Sequence, residues 1–492
     1  ASNNAVAYRS CSFVIDTISP KANITVRKRD GSEIKTADKP YIETEASASV
    51  TIDEVNFDPD SVTVTINGTP YIPSNWSGGT SHTANIPSSY FSENKEYTIV
   101  VSGHDLAGNT MRSVSASFTV DRKEPEIKLS GITNANKGDV TPVVNITDDN
   151  LNAQDVKVYK NGELLNVTYE DNGDVAMYDV SNKGNYIVGR WSSDNVESGI
   201  KKKMVFDNFP VEEKYDGNYK IEVDTSDKAE NTKSDSMEFS VNRFGSVFTV
   251  ADAEKINGQY LKNPPTIVIT EKNVDKHKND SDIIIIIDKG SKTVKLTADD
   301  YTVSEPVPLE DGSGYEYTYN IASKNFDQDL NYNISIQSVD EAGNKNVSSS
   351  RGAEISFNVD THNPDFKCDD LADRAEFNEA ERIFRLNVNE KLKSIKVTTS
   401  TGEVLLDDSE GNDDNIYTFS MPASNSSRDV TIELVDLAGN KTTKVYKDML
   451  ITENVALFVM HKTWAKVAGI AAAVAVGALA GAYIIRKRWR GY

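Results

Sequence analysis

Cysteine is scarce in this chain of 492 residues, which contains only Cys11 and Cys368. Two cysteines so far apart cannot form a disulfide within one domain, so each domain must be stabilised by its own hydrophobic core. Secreted animal domains of small size often depend on disulfides. The near-absence of cysteine therefore favours a bacterial source.

Histidine is scarce too, and the common catalytic motifs are missing. The five histidines are scattered one per region, without the His-Glu-x-x-His spacing of a zinc hydrolase. The sequence also lacks a Gly-x-Ser-x-Gly elbow and a phosphate-binding glycine loop. We therefore predict that the chain is not an enzyme.

Positive charge is in deficit. The formal net charge is −22, and removing the four basic residues among the last seven leaves −26 for the rest of the chain. Such acidity argues against binding to nucleic acid or directly to anionic lipid. It is compatible with binding of cations.

Helical periodicity is absent before residue 450, and a repeated β-hairpin takes its place. The clearest copy starts at Tyr332, where apolar and polar residues alternate, and ends at Pro364. Its turn begins at Asp340 and reads Asp-Glu-Ala-Gly-Asn, and related turns begin at Asp105, Asp227 and Asp436. Successive turn aspartates are 122, 113 and 96 residues apart, a period that suits a string of whole domains.

A second block recurs ahead of each hairpin. It consists of an apolar strand, an acidic loop, another strand and a tight Gly-containing turn, as at Val50–Gly68. Short strands with regular turn signals are typical of a β-sandwich. The predicted fold is therefore all-β, with tandem sandwich modules.

Two of the hairpins end in a Phe-x-Val-Asp linker, at residues 118–121 and 357–360. The Asp-x-Ala-Gly-Asn turn and this linker together resemble the bacterial immunoglobulin-like (Big) modules of cell-surface proteins. The resemblance covers residues 14–450 and implies that the first block is strands B and C and the hairpin strands F and G. It also implies a tyrosine at the start of strand F, the role of Tyr97, Tyr219 and Tyr332, whereas Arg428 holds that position in the fourth module. The predicted division is 1–15, the tail of a preceding module; 16–121, 122–242, 243–360 and 361–450, immunoglobulin-like modules 1 to 4; 451–466, a linker; 467–485, a transmembrane helix; and 486–492, a basic tail.

One long uncharged run, Val467–Ile485, is the predicted membrane anchor. It has the length of a membrane-spanning helix, and Arg486 and its basic neighbours follow at once. The positive-inside rule then predicts extracellular modules and a cytoplasmic C-terminus. Small residues recur every four positions and would permit a helix-mediated dimer: Gly469, Ala473, Gly477 and Gly481.

Acidic residues recur at three places that meet at one pole of an immunoglobulin-like sandwich: the linker before strand A, the B–C loop and the F–G turn. The predicted calcium ligands are Asp16, Asp53, Glu54 and Asp105 in module 1; Asp121, Asp148, Asp149 and Asp227 in module 2; and Asp360, Glu390 and Asp436 in module 4. Module 3 offers Asn242, Glu271 and Asp340 and is expected to be the weakest site. A second interpretation is that the aspartates serve only the turns, as acceptors for backbone N–H groups.

The sequence thus predicts a membrane-anchored bacterial surface stalk or adhesin that holds a binding or catalytic head away from the cell. Its ligand would be an extracellular protein or glycan. The alternative is the C-terminal spacer and anchor of a large surface hydrolase whose catalytic domain lies upstream.

Overall fold

The computed structural model of the chain describes residues 9–169, 175–178, 187–196 and 199–488. Apolar residues that alternate with polar ones form strands throughout, and four separate hydrophobic cores result. The prediction of an all-β chain of tandem immunoglobulin-like sandwiches is confirmed.

Each sandwich is given by its strands in chain order. The first contains β1 Lys21–Lys28, β2 Glu33–Ile34, β3 Tyr41–Ile42, β4 Ala46–Asp53, β5 Thr63–Ile66, β6 Thr69–Tyr71, β7 Ser81–Ile86, β8 Lys95–Ser102 and β9 Val114–Val120. The second contains β10 Glu126–Ser130, β11 Ala135–Asn136, β12 Val143–Asp148, β13 Leu151–Lys160, β14 Glu163–Leu164, β15 Asn166–Tyr169, β16 Val175–Tyr178, β17 Ile187–Val196, β18 Gly199–Phe206, β19 Gly217–Asp227 and β20 Thr232–Val241.

The third sandwich contains β21 Val247–Val250, α1 Ala253–Ile256, β22 Tyr260–Leu261, β23 Ile267–Asn273, β24 Ile284–Lys289, β25 Lys292–Lys295, β26 Tyr301–Val303, β27 Val307–Pro308, β28 Tyr315–Ile321, β29 Asn331–Val339, β30 Lys345–Val347 and β31 Ile355–Val359. The fourth contains β32 Phe366–Lys367, β33 Glu376–Phe377, β34 Glu381–Val388, β35 Leu392–Thr399, β36 Val404–Asp408, β37 Ile416–Pro422, β38 Arg428–Asp436 and β39 Lys441–Ile451, and α2 Val455–Arg488 follows. Short 3-10 helices lie at Thr36–Asp38, Ser88–Phe91, Glu213–Tyr215, Asp280–Asp282, Ser323–Asn325 and Ser348–Arg351.

All four sandwiches share one strand order. Strand B lies between strands A and E in one sheet, as in β1-β4-β7, and strand F lies between C and G in the other, as in β5-β8-β9. A two-residue strand pairs in parallel with strand G in every sandwich, as β3 does with β9. The predicted assignment of the two blocks to strands B, C, F and G is confirmed. The second sandwich adds β15, β16 and β17 beyond strand E.

The tyrosines at the start of strand F fasten the preceding corner, as expected. The hydroxyl of Tyr219 donates to the carbonyl of Tyr215 at 2.7 Å, and Tyr97 and Tyr332 bond the carbonyls four residues before them at 3.1 and 2.9 Å. In the fourth sandwich Arg428 takes over, donating to the Pro422 carbonyl and, at 2.8 Å, to Glu403.

The C-terminal helix begins twelve residues earlier than the predicted span. Asn454 accepts hydrogen bonds from the backbone N–H groups of Ala456 and Leu457 and so caps the first turn. His461 lies 2.8 Å from Glu376 and fastens this part of α2 to the fourth sandwich. Residues 455–466, predicted as linker, are therefore helical.

No helix among the described residues has the length and apolar character needed to cross a membrane. Within Val467–Ile485 the backbone is described, but the surroundings of several residues, Gly469 and Ala473 among them, are not. Residues 1–8 and 489–492, at the two predicted tails, lie outside the described residues.

The contacts divide the described residues into two units. The first unit consists of the described residues up to Phe244 together with Glu310–Ser313. The second unit consists of Gly245–Leu309 and the described residues from Gly314 on. The first two sandwiches thus share one unit, and the fourth belongs to the other.

Candidate metal sites at the sandwich poles

Three segments meet at one pole of each sandwich because strands B and F both end there. In the first sandwich these segments are the linker with Asp16, the loop after β4 with Glu54, and the β8–β9 turn with Asp105. One carboxylate oxygen from each lies within 4.8 Å of the others. We call this cluster pole 1.

The same geometry recurs twice among the described residues. Pole 2 consists of Asp121, Asp148 and Asp227, and pole 4 consists of Asp360, Glu390 and Asp436, each with oxygens within 4.8 Å. In pole 2 the linker aspartate follows the first sandwich and the other two belong to the second. A further group at Asp329, Asp360 and His362 is more exposed, and its histidine is paired with Asp329.

Nine of the eleven predicted ligands are thus brought together, and two are not. Asp53 and Asp149 are exposed, whereas their neighbours Glu54 and Asp148 are buried. At Asp53 the reason is strand alternation, since it is the last residue of β4 and points away from the face of Ile52. The sequence contained this signal, because Asp53 is one residue from the buried Ile52.

The aspartates of the F–G turns have the backbone partners expected of turn residues. In Asp105, Oδ1 accepts from the backbone N–H groups of Ala107 and Asn109, and Oδ2 accepts from the Asn109 side chain at 2.8 Å. The same Asn109 amide donates to the main-chain carbonyl of Asp16 at 3.1 Å, which ties the turn to the linker. Equivalent bonds hold Asp227 and Asp436. Turn chemistry is therefore present at poles 1, 2 and 4, but Oδ2 of Asp105 accepts from Asn109 with only one lone pair and has a second to offer.

Pole 2 contains an unsatisfied buried oxygen. Asp148 is 1% exposed, and its Oδ1 accepts from the Asn150 backbone N–H at 2.7 Å while its Oδ2 has no hydrogen-bond partner. Burial raises the pKa of Asp148, and the charges of Asp121 and Asp227 raise it further. A buried carboxylate oxygen that has no hydrogen-bond partner and lies near other negative charges destabilises the folded state. A bound hard cation, which prefers oxygen ligands, would remove this destabilisation. The residues of pole 2 therefore fit Ca²⁺.

Pole 4 shows the same repulsion in another form. Burial raises the pKa of Glu390 to about 7, with the charges of Asp360 and Asp436 contributing. Glu390 also shares a hydrogen bond with Asp360. The raised pKa means that Glu390 resists ionisation beside these two acids, and a bound cation would favour its ionised form.

The third sandwich departs from this pattern. Glu271 is fully buried, but it does not form a cluster of carboxylates with Asp340 among the described residues. It contacts His277, Tyr319 and Ser338 instead. Sequence reasoning missed these partners because they lie on different strands and loops and form no local motif.

No protein-family model matches the chain, and no curated protein does. Among solved structures, a tetra-tandem repeat in the extending region of a large adhesion protein matches at TM-score 0.33 and 16% identity, over 87% of this chain and 98% of that one. Fibronectin(III)-like modules of CbhA from Clostridium thermocellum match at TM-score 0.21 and 13% identity, over 42% and 96%. Domains 3–6 of protocadherin gamma B2 match at TM-score 0.26 and 10% identity, over 80% and 92%.

These TM-scores are all below 0.5, so the matches carry no inference about function. The assignment to immunoglobulin-like repeats rests on the strand order that all four sandwiches share. The class is a tandem repeat of immunoglobulin-like sandwiches, and within the described part of the chain three of them carry a triad of carboxylates at one pole.

Proposed function

We propose that the chain is a stalk of a bacterial cell-surface adhesin, and that Ca²⁺ bound at poles 1, 2 and 4 stiffens it. The observation that carries the proposal is the carboxylate triad, which recurs at the same structural position in three sandwiches. In pole 2 and pole 4 the linker aspartate comes from the end of one sandwich and the other two acids from the next. A cation there would restrain the angle between the two sandwiches.

The orphaned oxygen of Asp148 supports a hard cation in particular. Calcium takes six to eight oxygen ligands and accepts irregular geometry, and the cluster offers one carboxylate oxygen from each of three acids. A transition metal would favour nitrogen or sulfur ligands, and none lies in poles 1, 2 and 4 as described.

Membrane anchoring belongs to the same proposal. From Val467 on, the described apolar side chains of α2 are exposed, with Val474 at 65% and Leu479 at 71%. Exposed apolar side chains along a helix favour a lipid environment. Extraction of cell membranes at alkaline pH tests this point, because an anchored chain stays with the membrane and a peripheral one is released. Pairing of α2 through Gly477 and Gly481 remains a prediction.

Calorimetric titration of the full chain with Ca²⁺ tests the central part of the proposal. We expect three binding events and a rise in melting temperature at millimolar Ca²⁺ that a chelator reverses. Glu54→Gln should remove one event, whereas the matched control Asp53→Asn, whose side chain points outward, should keep all three. No heat of binding and no change in melting temperature would refute a role for calcium.

A further inference from the structure

The third sandwich has an acid at the same position as the other three. Glu54, Asp148, Glu390 and Glu271 each stand two residues beyond a buried residue of strand B, which is Ile52, Ile146, Val388 or Ile269. The position alone would make Glu271 a cation ligand. However, the groups around Glu271 are hydrogen-bond donors and not other carboxylates.

Both oxygens of Glu271 are occupied by side-chain donors of the same sandwich. Ser246 and Ser338 donate their hydroxyl hydrogens to Oε1 at 2.5 and 2.6 Å. Tyr319 donates its hydroxyl hydrogen to Oε2, and Nε2 of His277 lies 3.0 Å from the same oxygen. We call Glu271 and these four donors the Glu271 lock.

The loop between strands B and C places His277 in the lock. This loop runs from Asn273 to Ile284, whereas in the fourth sandwich strand C begins only two residues after Glu390. His277 forms a β-bridge with Asp340, its backbone N–H donates to the Tyr317 hydroxyl at 3.0 Å, and its ring stacks on Tyr317 at 3.7 Å. The ring is thus held against the carboxylate from two sides.

The turn aspartate of this sandwich is also surrounded by donors. Oδ1 of Asp340 accepts from the Asn344 backbone N–H at 2.8 Å. Oδ2 accepts from the side-chain amides of Asn344, Asn273 and Asn346 at 3.0, 3.1 and 3.3 Å. The linker position carries Asn242 in place of an aspartate. Donors within the protein thus take the role that a cation would have at the other poles.

We propose that the third pole is stabilised by the Glu271 lock without a metal ion, so that calcium stabilises poles 1, 2 and 4 but not the third. This inference rests on the proposed function. Consistently, the pKa of Glu271 is lowered: burial opposes ionisation, but the hydrogen bonds and charge of His277 and the two serine hydroxyls outweigh it. Loss of calcium would then loosen the chain at defined places and leave one pole intact.

Hydrogen exchange of the full chain, measured by mass spectrometry in millimolar Ca²⁺ and in chelator, tests this inference. Backbone amides of poles 1, 2 and 4 should lose protection in chelator, whereas those near Glu271 and Asp340 should not change. If the third pole loses as much protection as pole 2, the inference is wrong. If the protection of no pole depends on calcium, the proposed function is wrong. The variants Tyr319→Phe and Glu271→Gln then still test whether the Glu271 lock stabilises the third pole.

Tyr319→Phe removes one donor and keeps the ring, and Glu271→Gln removes the charge. Each should reduce protection around Glu271 by about tenfold or more, equally in calcium and in chelator, since a hydrogen bond to a buried charge is lost. Glu316→Gln is the matched control, because Glu316 lies on the same strand as Tyr319 but forms only a half-exposed ion pair with Lys272 at 3.4 Å. Variants that match this control would show that the four donors do not stabilise the pole.

Discussion

Glu271 and Glu390 occupy the same position in the third and fourth sandwiches, yet the pKa of Glu271 is lowered and that of Glu390 is raised to about 7. The difference lies in their neighbours. Glu271 faces two serines, a tyrosine and a histidine, whereas Glu390 faces Asp360 and Asp436. Burial of a carboxylate is therefore not itself the signal of a metal site. The informative feature is whether hydrogen-bond donors or other carboxylates surround it.

The largest expected effect comes from removing the two glutamates. Glu271→Ala leaves several buried donors unpaired and should lower the free energy of unfolding of the third sandwich by about 3 kcal/mol. In chelator, Glu390→Ala should have the opposite sign and stabilise the fourth sandwich, because it removes a repelling carboxylate. Chemical denaturation of both variants in chelator checks the signs. Destabilisation by both would mean that the two poles do not differ as described.

The next effect is the pH dependence of the fourth pole. The pKa of Glu390 is raised from 4.5 to about 7, so its ionisation opposes folding. In chelator, stability should be unaffected by this group below pH 4.5, fall as the pH rises from 4.5 to 7, and then level off. Because Glu390 is only partly buried and solvent screens its charge, the total loss should be about 2 kcal/mol. Glu390→Gln should abolish this loss. A pH series of melting curves tests it, and an identical slope in wild type and variant would contradict it.

Binding of calcium at pole 4 should displace the proton of Glu390. If Glu390 is partly protonated near neutral pH, binding of Ca²⁺ at pole 4 should release up to one proton. Titration calorimetry at about pH 6.5 in buffers of different ionisation enthalpy measures this number, and Glu390→Gln serves as the control. Binding without proton release would show that Glu390 is already ionised in the free chain.

The smallest effect separates turn chemistry from metal binding at pole 2. Glu230 has a φ of +70°, at the place where the other F–G turns have Gly108, Gly343 and Gly439 with φ between +81° and +86°. A side chain in this left-handed region is strained, so Glu230→Gly should stabilise the second sandwich by up to about 1 kcal/mol. Because Glu230 is not in pole 2, the gain should be the same in calcium and in chelator. A gain seen only in calcium would mean that the turn and the metal site are coupled.

Much of the fold could be predicted from the sequence, because the two repeated blocks carry period-2 apolar patterns and distinctive turn residues. The strand assignments, the tyrosines at strand F and the meeting of acids at the poles followed from that repetition together with the resemblance to immunoglobulin-like modules. Three features did not. The extra strands β15–β17 lie outside both repeated blocks, the Glu271 lock combines residues from distant elements, and the start of α2 depends on Asn454, which hydropathy does not report.

The most direct measurement of the central claim compares Asp148→Asn with Asp149→Asn by thermal melting in calcium and in chelator. In chelator, Asp148→Asn should raise stability by about 1 to 2 kcal/mol, because it replaces an orphaned buried carboxylate with a neutral amide. In saturating calcium it should lower stability, because a ligand is lost. Asp149→Asn, at an exposed neighbour outside the cluster, should change neither by more than about 0.5 kcal/mol. An equal effect of Asp148→Asn in both conditions would contradict a calcium site at this pole.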